Sequence, residues 1–579
     1  MQRWHHGLFV VLLLWGTPQA SLHAEEIRYR VDIEAPDSLD SLLRKHLDIV
    51  KALDNPRLNR NEWLRLLGEA EQDAQSILAT EGYFSPQIDI ETDQQDTLSH
   101  ASFKVEPGPQ TRVAEVEIEF TGAIHLEDEH SRVNKLKENW ALQAGAPFSQ
   151  DNWGKAKRTL LSDLIAYRYP EAHILRSEAR IQRERNQVKL RIEIDSGPVY
   201  RFGTTRIEGV QRYDAAIIER LNPIKPGDIY DQNSLLRLQT LILESGYYQS
   251  VEVSADTENG PVDAAPVIVK VSERKASTLS TGAGLSTNTG ARVQLNYEDL
   301  DVFGLDWRFV GSFKVEQLAQ SLNGQLQRPQ TENGFRDSLS STVGRTAIEG
   351  QTTTIFNNSL KRAWGPRRFE QFVGTGILFE QVDLDGAESS NKQVATVSYG
   401  ITLRRVDNEL SPNRGYLLNA QVAAAPLDSL SDGKFVQTYI KGQAYWPLAE
   451  RTQLITRLEI GAVNGGNAPA TYLFRAGGDQ SVRGYAFQSL GNREGDAIAG
   501  ARYLLTGSAE LVQWLTREWG GAVFVDFGNA ADTIKTLKPV YAYGLGVRWK
   551  SPAGPIGADI AYGQDTGEFR LHFNLGVSF

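Results

Sequence analysis

The chain has 579 residues, enough for more than one domain, and a formal net charge of -11, which argues against a nucleic-acid partner because phosphate binding requires a basic surface. It contains no cysteine, which excludes disulfide bonds and cysteine-based metal or redox sites. The mean hydropathy of -0.36 does not exclude a membrane location, because the strands of a membrane barrel alternate apolar and polar residues.

The first 24 residues have the pattern of a secretory signal peptide. Arg3 opens the segment, an apolar run follows at residues 8–15, and Ala20 and Ala24 offer small residues for cleavage. We expect cleavage after Ala24 and export to the periplasm. The alternative is a short membrane anchor, but the run is far shorter than the roughly 20 apolar residues of a spanning helix.

Between residues 25 and 276 the sequence repeats one unit three times, at residues 25–107, 108–197 and 198–276. The first two units close on similar segments, FKVEPGP and IEIDSGP, and the third closes on a looser version, VKVSERK. Helical stretches followed by alternating strands predict a β-α-α-β-β fold for each unit. Three unrelated α+β domains are the alternative, which the shared segments disfavour.

A short motif marks the end of the second helix in each unit. Gly82 and Gly246 each precede a pair of aromatic residues, as expected where a left-handed residue ends a helix. The segment YRYP at residues 167–170 holds the equivalent place without a glycine. These units resemble POTRA domains, the periplasmic modules of outer-membrane assembly and transport barrels. The resemblance covers about residues 26–275 and is weakest in the first unit.

After residue 276 the helical periodicity gives way to period-two alternation with many glycines and aromatic residues. In the clearest strand every second residue from Tyr541 to Trp549 is apolar, and a turn of sequence SPAGP follows it. Strands of about 10 residues with their turns predict roughly 16 antiparallel strands over residues 277–579. The predicted fold class is therefore three α+β domains followed by an all-β membrane barrel.

The last residues of the chain predict a special terminal strand. Apolar residues alternate from Leu571 to the C-terminal Phe579. This ending resembles the signal by which outer-membrane barrels are recognised for insertion, and the alternative is an ordinary last strand of a soluble sheet. We expect Phe579, together with Gly576, to lie at a weak seam between the first and last strands.

Two motifs in the barrel segment predict an interaction inside the lumen. Their residues are Val482, Arg483, Gly484 and Tyr485 in the first, and Phe524, Asp526 and Gly528 in the second. They resemble the V-R-G-F/Y loop tip and the F-x-D-x-G strand motif of a superfamily that joins POTRA domains to a 16-stranded barrel. The resemblance implies a loop that folds into the lumen as a lid, with Arg483 held by Asp526. The alternative is an exposed arginine without a fixed partner, and a second RGY at residues 414–416 shows that the tripeptide recurs.

Three units and a barrel of this size resemble the TamA branch, the outer-membrane subunit of the translocation and assembly module. The resemblance implies an inner-membrane-anchored partner of the TamB type, unfolded barrel or autotransporter clients, and outer-membrane lipid as a further partner. It also implies an outer-membrane location, with the POTRA domains in the periplasm. The alternatives are a two-partner secretion pore for one exported protein, a BamA-type assembly factor with five POTRA domains, and a conduit for lipid traffic.

An enzyme is the remaining alternative, for example an outer-membrane lipase. The sequence lacks a G-x-S-x-G elbow, an H-E-x-x-H motif and a phosphate-binding G-x-x-x-x-G-K-[ST] loop. We therefore expect no catalysis, no cofactor and no metal. The acidic stretch HLEDEH at residues 125–130 is expected to be a solvated loop, because a metal site needs converging ligands.

Overall fold

A computed structural model describes residues 28–95, 98–126, 130–551 and 554–574. It contains three small α/β domains, each with a three-stranded sheet, followed by a closed antiparallel barrel of 16 strands. The fold class predicted from the sequence is confirmed. The predicted signal peptide at residues 1–24, and Gly576 and Phe579 of the predicted terminal strand, lie outside the described residues.

The first domain consists of β1 (Arg28–Glu34), α1 (Asp37–His46), α2 (Asp48–Lys51), α3 (Arg60–Thr80), β2 (Gln87–Gln95) and β3 (Leu98–Glu106). Its sheet has the order β1-β3-β2, with β1 parallel and β2 antiparallel to β3. The Asn59 side chain accepts a hydrogen bond from the Glu62 amide at 3.1 Å, which satisfies one free N–H at the start of α3. Trp63 and Leu78 of that helix are buried in the same core as Phe103 of β3.

The second domain consists of β4 (Arg112–Thr121), α4 (Ala123–Leu126), α5 (His130–Glu138), α6 (Gln150–Ile165), β5 (His173–Gln182) and β6 (Gln187–Asp195). The sheet order β4-β6-β5 repeats that of the first domain, again with one parallel and one antiparallel pair. Ser149 caps α6 by accepting from the Asn152 amide at 3.2 Å. Trp140 and Trp153 pack edge to face in the core, with ring centroids 6.0 Å apart.

The third domain consists of β7 (Phe202–Glu208), α7 (Ala216–Leu221), α8 (Gln232–Glu244), β8 (Tyr248–Ala255) and β9 (Ala265–Glu273), with the sheet order β7-β9-β8. It has the two helices that the repeat predicts. The first two domains each carry a third helix, because the chain before their last helix breaks into two short ones.

A left-handed residue follows the last helix of every one of these domains. The φ angles are 87° at Gly82, 73° at Arg168 and 84° at Gly246, so an arginine adopts the backbone that glycine favours. The carbonyl of Gly82 accepts from the Thr111 amide at 2.9 Å, and the amide of Arg168 donates to the Tyr230 carbonyl at 2.9 Å. At Gly82 and Arg168 the same position therefore ends a helix and contacts the domain that follows.

Contacts divide the chain into two compact units. The first unit runs through Thr204 and includes Lys225–Leu235 and Ala255–Val267. The second unit consists of Thr205–Ile224, Leu236–Ser254 and the chain from Ile268 onward, which includes the whole barrel.

The barrel strands follow one another around the wall in chain order. They are β10 (Ser277–Ser286), β11 (Gly290–Val302), β12 (Trp307–Glu316), β13 (Ala319–Gln327), β14 (Arg336–Ile348), β15 (Gln351–Trp364), β16 (Phe369–Leu384), β17 (Ser390–Val406), β18 (Gly415–Ala425), β19 (Phe435–Ala449) and β20 (Thr452–Gly465). After a short hairpin, β21 (Asn492–Glu494) and β22 (Ala497–Ala499), the wall continues with β23 (Tyr503–Trp514), β24 (Trp519–Ala531), β25 (Val540–Ser551), β26 (Gly554–Gly563) and β27 (Glu568–Asn574).

Alternation along the barrel strands separates an apolar outer surface from the lumen. In β25 the side chains of Tyr541, Tyr543 and Leu545 are exposed on the outside, whereas Ala542 is buried. Trp519 and Trp549 stack on the outer surface with centroids 5.2 Å apart. Among the described residues, no helix has the length and apolar character needed to cross a membrane.

Candidate functional site

The candidate site is built by the segment between β20 and β23, residues 466–502, which we term the lumenal loop. Gly477 and Gly478 have φ angles of 105° and 95°, and a Cβ at Gly477 would lie 2.2 Å from the Ala486 carbonyl oxygen. Glycine is therefore required where the loop folds back on itself. The Gly477 amide donates to Ser481 Oγ at 2.8 Å, which stabilises the turn. This turn presents residues 482–485, the tip, to the barrel wall.

Arg483 of the tip is held by Asp526 of β24. Its Nε and Nη2 donate to the two carboxylate oxygens of Asp526 at 2.7 and 2.9 Å, and its backbone amide donates to Oδ2 at 3.0 Å. Asp526 is fully buried and Arg483 is 5% exposed. The paired N–H groups match the carboxylate as a fork, the strongest arrangement for this type of ion pair. The structure thus brings together the two residues that the sequence motifs linked.

Further charges extend this pair into a network across four strands. Arg483 Nη1 also donates to Glu510 of β23 at 2.8 Å and to Asp559 of β26 at 3.0 Å. Arg548 of β25 donates to the same two carboxylates, at 2.7 Å to Glu510 and at 2.6 Å to Asp559. Two guanidinium groups and three carboxylates therefore form one buried cluster. Attraction between the opposite charges offsets the free-energy cost of removing them from water.

An aromatic ring completes the environment of Arg483. Its guanidinium carbon lies 3.3 Å from the ring centroid of Phe524, two residues before Asp526 on the same face of β24. The face of the ring carries partial negative charge, so it attracts the cation most strongly where water is excluded. Phe524 and Asp526 therefore act on Arg483 together.

The other tip residues fix the position of the loop. The Gly484 amide donates to Nε2 of His572 in β27 at 2.8 Å, and its φ is 92°. A Cβ at Gly484 would lie 2.9 Å from the Gly563 amide nitrogen, so the tip can approach the wall only with glycine here. Val482 and Tyr485 are buried in a small apolar cluster with Ala542.

Gly528, the last residue of the strand motif, lies close to β23. A Cβ there would lie 2.6 Å from the Leu505 carbonyl oxygen, so its glycine allows β23 and β24 to approach each other. Neither sequence motif includes the four other residues that contact the tip or its ion pairs, Glu510, Arg548, Asp559 and His572. The sequence could have pointed to them, because each occupies an inward position in a strand of alternating apolar and polar residues. A charge or imidazole buried there without a partner would cost free energy, so such a residue indicates an interaction in the lumen.

A cavity of about 320 Å³ lies beside the tip in the lumen. Its wall includes Arg457, Arg483, Glu510, Arg548 and Asp559. Arg457 donates through Nη2 to the Ser481 carbonyl at 2.8 Å, so the cavity wall also supports the turn of the lumenal loop.

The third domain and the barrel meet within the second unit. The Tyr247 hydroxyl donates to the Asp306 carbonyl at 2.6 Å, and the Asp214 amide donates to the Asp306 carboxylate at 3.2 Å. Arg274 forms an ion pair with Glu298 of β11 at 2.8 Å. Burial raises the pKa of both the Tyr247 hydroxyl and the Asp306 carboxyl. These contacts hold this part of the third domain against the turn between β11 and β12.

Glu273 stabilises a loop of the third domain. Its carboxylate accepts from the amides of Gln211, Arg212 and Tyr213 at 2.9, 2.9 and 3.1 Å. Burial opposes the charged form, but these three donors hold the pKa of Glu273 below its usual value of 4.5.

Within the described ranges, no group of three or more His, Asp or Glu side chains is placed to hold a metal ion. The acidic stretch at residues 125–130 is only partly covered by those ranges, since residues 127–129 lie outside them. The charged residues of the site that the structure describes are placed for ion pairing.

Comparison with known proteins gives matches along most of the chain. The Omp85 superfamily domain matches residues 275–579, a surface antigen variable number repeat of the POTRA type matches residues 200–274, and the description "POTRA domain TamA domain 1" matches residues 31–107.

Two curated relatives are outer membrane protein assembly factors named BamA. The one from Neorickettsia risticii (strain Illinois) is 22% identical over 481 residues, which cover 74% of this chain and 61% of the relative. The one from Neisseria meningitidis serogroup B is 22% identical over 590 residues, which cover 86% of this chain and 71% of the relative. The chain thus spans about three fifths of the length of the first of them.

A solved structure has the same fold. BamA from Haemophilus ducreyi lacking POTRA domains 1–3 superposes with a TM-score of 0.62 at 17% identity. The superposition covers 80% of this chain and 98% of that one.

Proposed function

Because the chain belongs to the Omp85 superfamily, as a 16-stranded outer-membrane barrel that carries POTRA domains, we propose that it assembles other proteins into the outer membrane. It would act by binding its clients rather than by catalysis. The observation that carries this proposal is that three small domains precede a barrel whose lumen holds a buried ionic network. Because this network occupies the lumen, we expect clients to bind at the barrel wall and at the three small domains rather than to pass freely through the barrel.

At a finer level, we propose that the chain has the role of TamA. The match of residues 31–107 to the first POTRA domain of TamA supports this role. The implied partner is an inner-membrane-anchored protein of the TamB type that spans the periplasm. The implied clients are unfolded barrel proteins and autotransporters, and the proposed signal peptide would deliver the chain to the periplasm.

The arm has free sheet edges at which a partner or client strand could pair. β1 and β2 are the two edges of the first sheet, and their outer backbone groups can add a strand with little demand on its sequence. Val31 and Ile88 of these strands contribute to the domain core, whereas the side chains of Arg30 and Asp89 are exposed. An incoming strand would therefore meet a polar rim.

The wall offers a second place for client strands. β10 and β27 close the barrel, and in the described part of the chain their register consists of the pair Ser286 and Asn574. If the seam between these two strands opened, it would offer an edge to an incoming strand, which a fully paired barrel cannot do.

The test is the folding of a client barrel into lipid vesicles that contain the purified protein. A Ser286→Cys/Asn574→Cys variant provides a matched control, because partner residues in antiparallel strands lie at a distance that a disulfide can span. The chain has no other cysteine, so reduced and oxidised forms of one sample differ only at the seam.

We expect the reduced variant to accelerate folding of the client, measured by its heat-modifiable gel band, and the oxidised variant to lose that acceleration. Equal rates in protein-containing and empty vesicles would contradict the assembly function. Equal acceleration by both forms would contradict the seam mechanism while leaving the assembly function intact. Release of an exported protein without client insertion would instead favour the secretion pore, and transfer of lipid alone would favour the lipid conduit.

A further inference from the structure

The lumenal loop contacts both sides of the barrel seam. On one side, Asn288 in the turn between β10 and β11 donates through Nδ2 to the carboxylate of Asp479, and the Asp479 amide faces Asn288 Oδ1 at 3.5 Å. On the other side, the Gly484 amide donates to His572 Nε2 of β27 at 2.8 Å. Six residues of one loop, from 479 to 484, therefore connect the first hairpin of the barrel to its last strand.

Near these loop contacts, the described residues of β10 and β27 share one register pair, Ser286 and Asn574. β10 ends at Ser286, which pairs with Asn574, so residues 568–573 of β27 reach beyond the end of β10. There the described wall provides one connection across the seam, from the Phe573 amide to Thr287 Oγ1 at 3.2 Å. The loop contacts therefore lie beside the part of β27 that extends past the end of β10.

His572 is suited to hold the loop. It is 5% exposed, and its Nε2 accepts a hydrogen bond, so this nitrogen carries no proton and the ring is neutral. Arg483, the residue before Gly484, also binds Asp559 of β26, the strand next to β27. The tip is thus attached to the last two strands, and Asp479 attaches the base of the same turn to the first hairpin.

We propose that Asn288, Asp479 and His572 are positioning residues through which the lumenal loop clasps the seam shut. Docking of the loop and closure of the seam are then one event, and release of the loop removes its contacts with both the first hairpin and β27. This inference deepens the proposed function. Closure of the seam by the loop does not depend on that function, whereas the binding of a client strand to the open seam does.

The test measures the seam directly in the full-length protein. Leu285 of β10 and Leu571 of β27 are 57% and 71% exposed on the outer surface, so spin labels on cysteines at these positions leave the lumen undisturbed. Pulsed electron spin resonance in lipid nanodiscs then gives the distance distribution across the seam. The heat-modifiable gel band of each variant shows separately that its barrel has folded.

Two pairs of variants distinguish a clasp from general stabilisation. Asn288→Asp places two carboxylates face to face, whereas the exchange Asn288→Asp with Asp479→Asn restores a donor and an acceptor. We expect a second, longer distance in the single variant and the original narrow distribution in the exchange. His572→Leu removes the acceptor for Gly484 and should also add the longer distance, whereas His572→Gln keeps an acceptor and should not.

An unchanged distance distribution in folded Asn288→Asp and His572→Leu would overturn the proposal. A longer distance that persists in the exchange variant would overturn it as well, because restored pairing should restore closure. If Asn288→Asp does not fold, the comparison of His572→Leu with His572→Gln decides alone. The labels report closure without any client, so a failed clasp remains distinguishable from a failed assembly function, which the vesicle assay measures.

Discussion

Replacing Arg483 by alanine should be among the most destabilising single changes in the barrel. The substitution removes the cation from Asp526, which has no exposure to solvent, and leaves Glu510 and Asp559 to share Arg548. Loss of one partner from a buried ion pair costs about 3–5 kcal/mol, mainly because the remaining charge is uncompensated. We therefore expect the free energy of unfolding to fall by about that amount.

The measurement is urea-induced unfolding in lipid vesicles, followed by tryptophan fluorescence. The second RGY of the chain provides the matched control, because Arg414 is exposed in the loop before β18. Arg414→Ala should change the free energy of unfolding by no more than about 0.5 kcal/mol. The two substitutions delete the same side chain from the same tripeptide, so the difference between them reports the buried network.

A double-mutant cycle with Asp526→Asn isolates the pair. The combination Arg483→Ala/Asp526→Asn leaves no buried carboxylate at that position, so its cost should be smaller than the sum of the two single costs by at least about 1 kcal/mol. Two results would refute the reasoning: a decrease in the free energy of unfolding of less than about 1 kcal/mol for Arg483→Ala, or costs of the two single substitutions that simply add up in the double variant. Either result would mean that the ion pair contributes little to stability.

Three further results are expected. Gly484→Ala should destabilise the barrel by about 1–3 kcal/mol because of its left-handed backbone and close wall contact, whereas Gly466→Ala, in open space, should not; equal unfolding midpoints would contradict this. The stabilisation by the Glu273 carboxylate should be complete above about pH 4.5 and be lost as the pH falls through its lowered pKa. In Glu273→Gln the protection of the amides of residues 211–213 from hydrogen exchange should therefore no longer decrease with falling pH. The same acid-dependent loss of protection in the variant and in the unmodified protein would contradict this role of Glu273. Gly82→Ala places a Cβ 2.1 Å from the Phe148 carbonyl oxygen and should accelerate exchange of the amide that Gly82 binds in the second domain; unaltered exchange would show that the junction adapts.

The fold could be predicted because its signals are local. Alternation in the strand from Tyr541 to Trp549 reflects an outer surface and a lumen, and a helix that ends on Gly82 reports a left-handed backbone. Arg168 shows the limit of such signals. Arg168 adopts the same backbone conformation without being glycine, because hydrogen bonds to the following domain hold it there. The residues next to Arg168 in the sequence do not predict this contact.

The candidate site could be predicted only in part. The pairing of Arg483 with Asp526 followed from two motifs, whereas Glu510 and Asp559 join the network through a barrel register that brings residues far apart in the chain to one point. The contact of Gly484 with His572 depends on how deeply the loop enters the lumen, which no local pattern specifies. Long-range geometry therefore decides which charges meet.

The most direct test of the proposed function is photo-crosslinking in living cells from the outer edges of the first domain. Crosslinking residues at Arg30 and Asp89 project away from the core, and Gln72, exposed on α3, provides a control position away from the sheet edges. We expect capture of a large, inner-membrane-anchored, β-rich protein from the edge positions and not from Gln72. Capture of one exported protein in its place would contradict the assembly role and favour a secretion transporter.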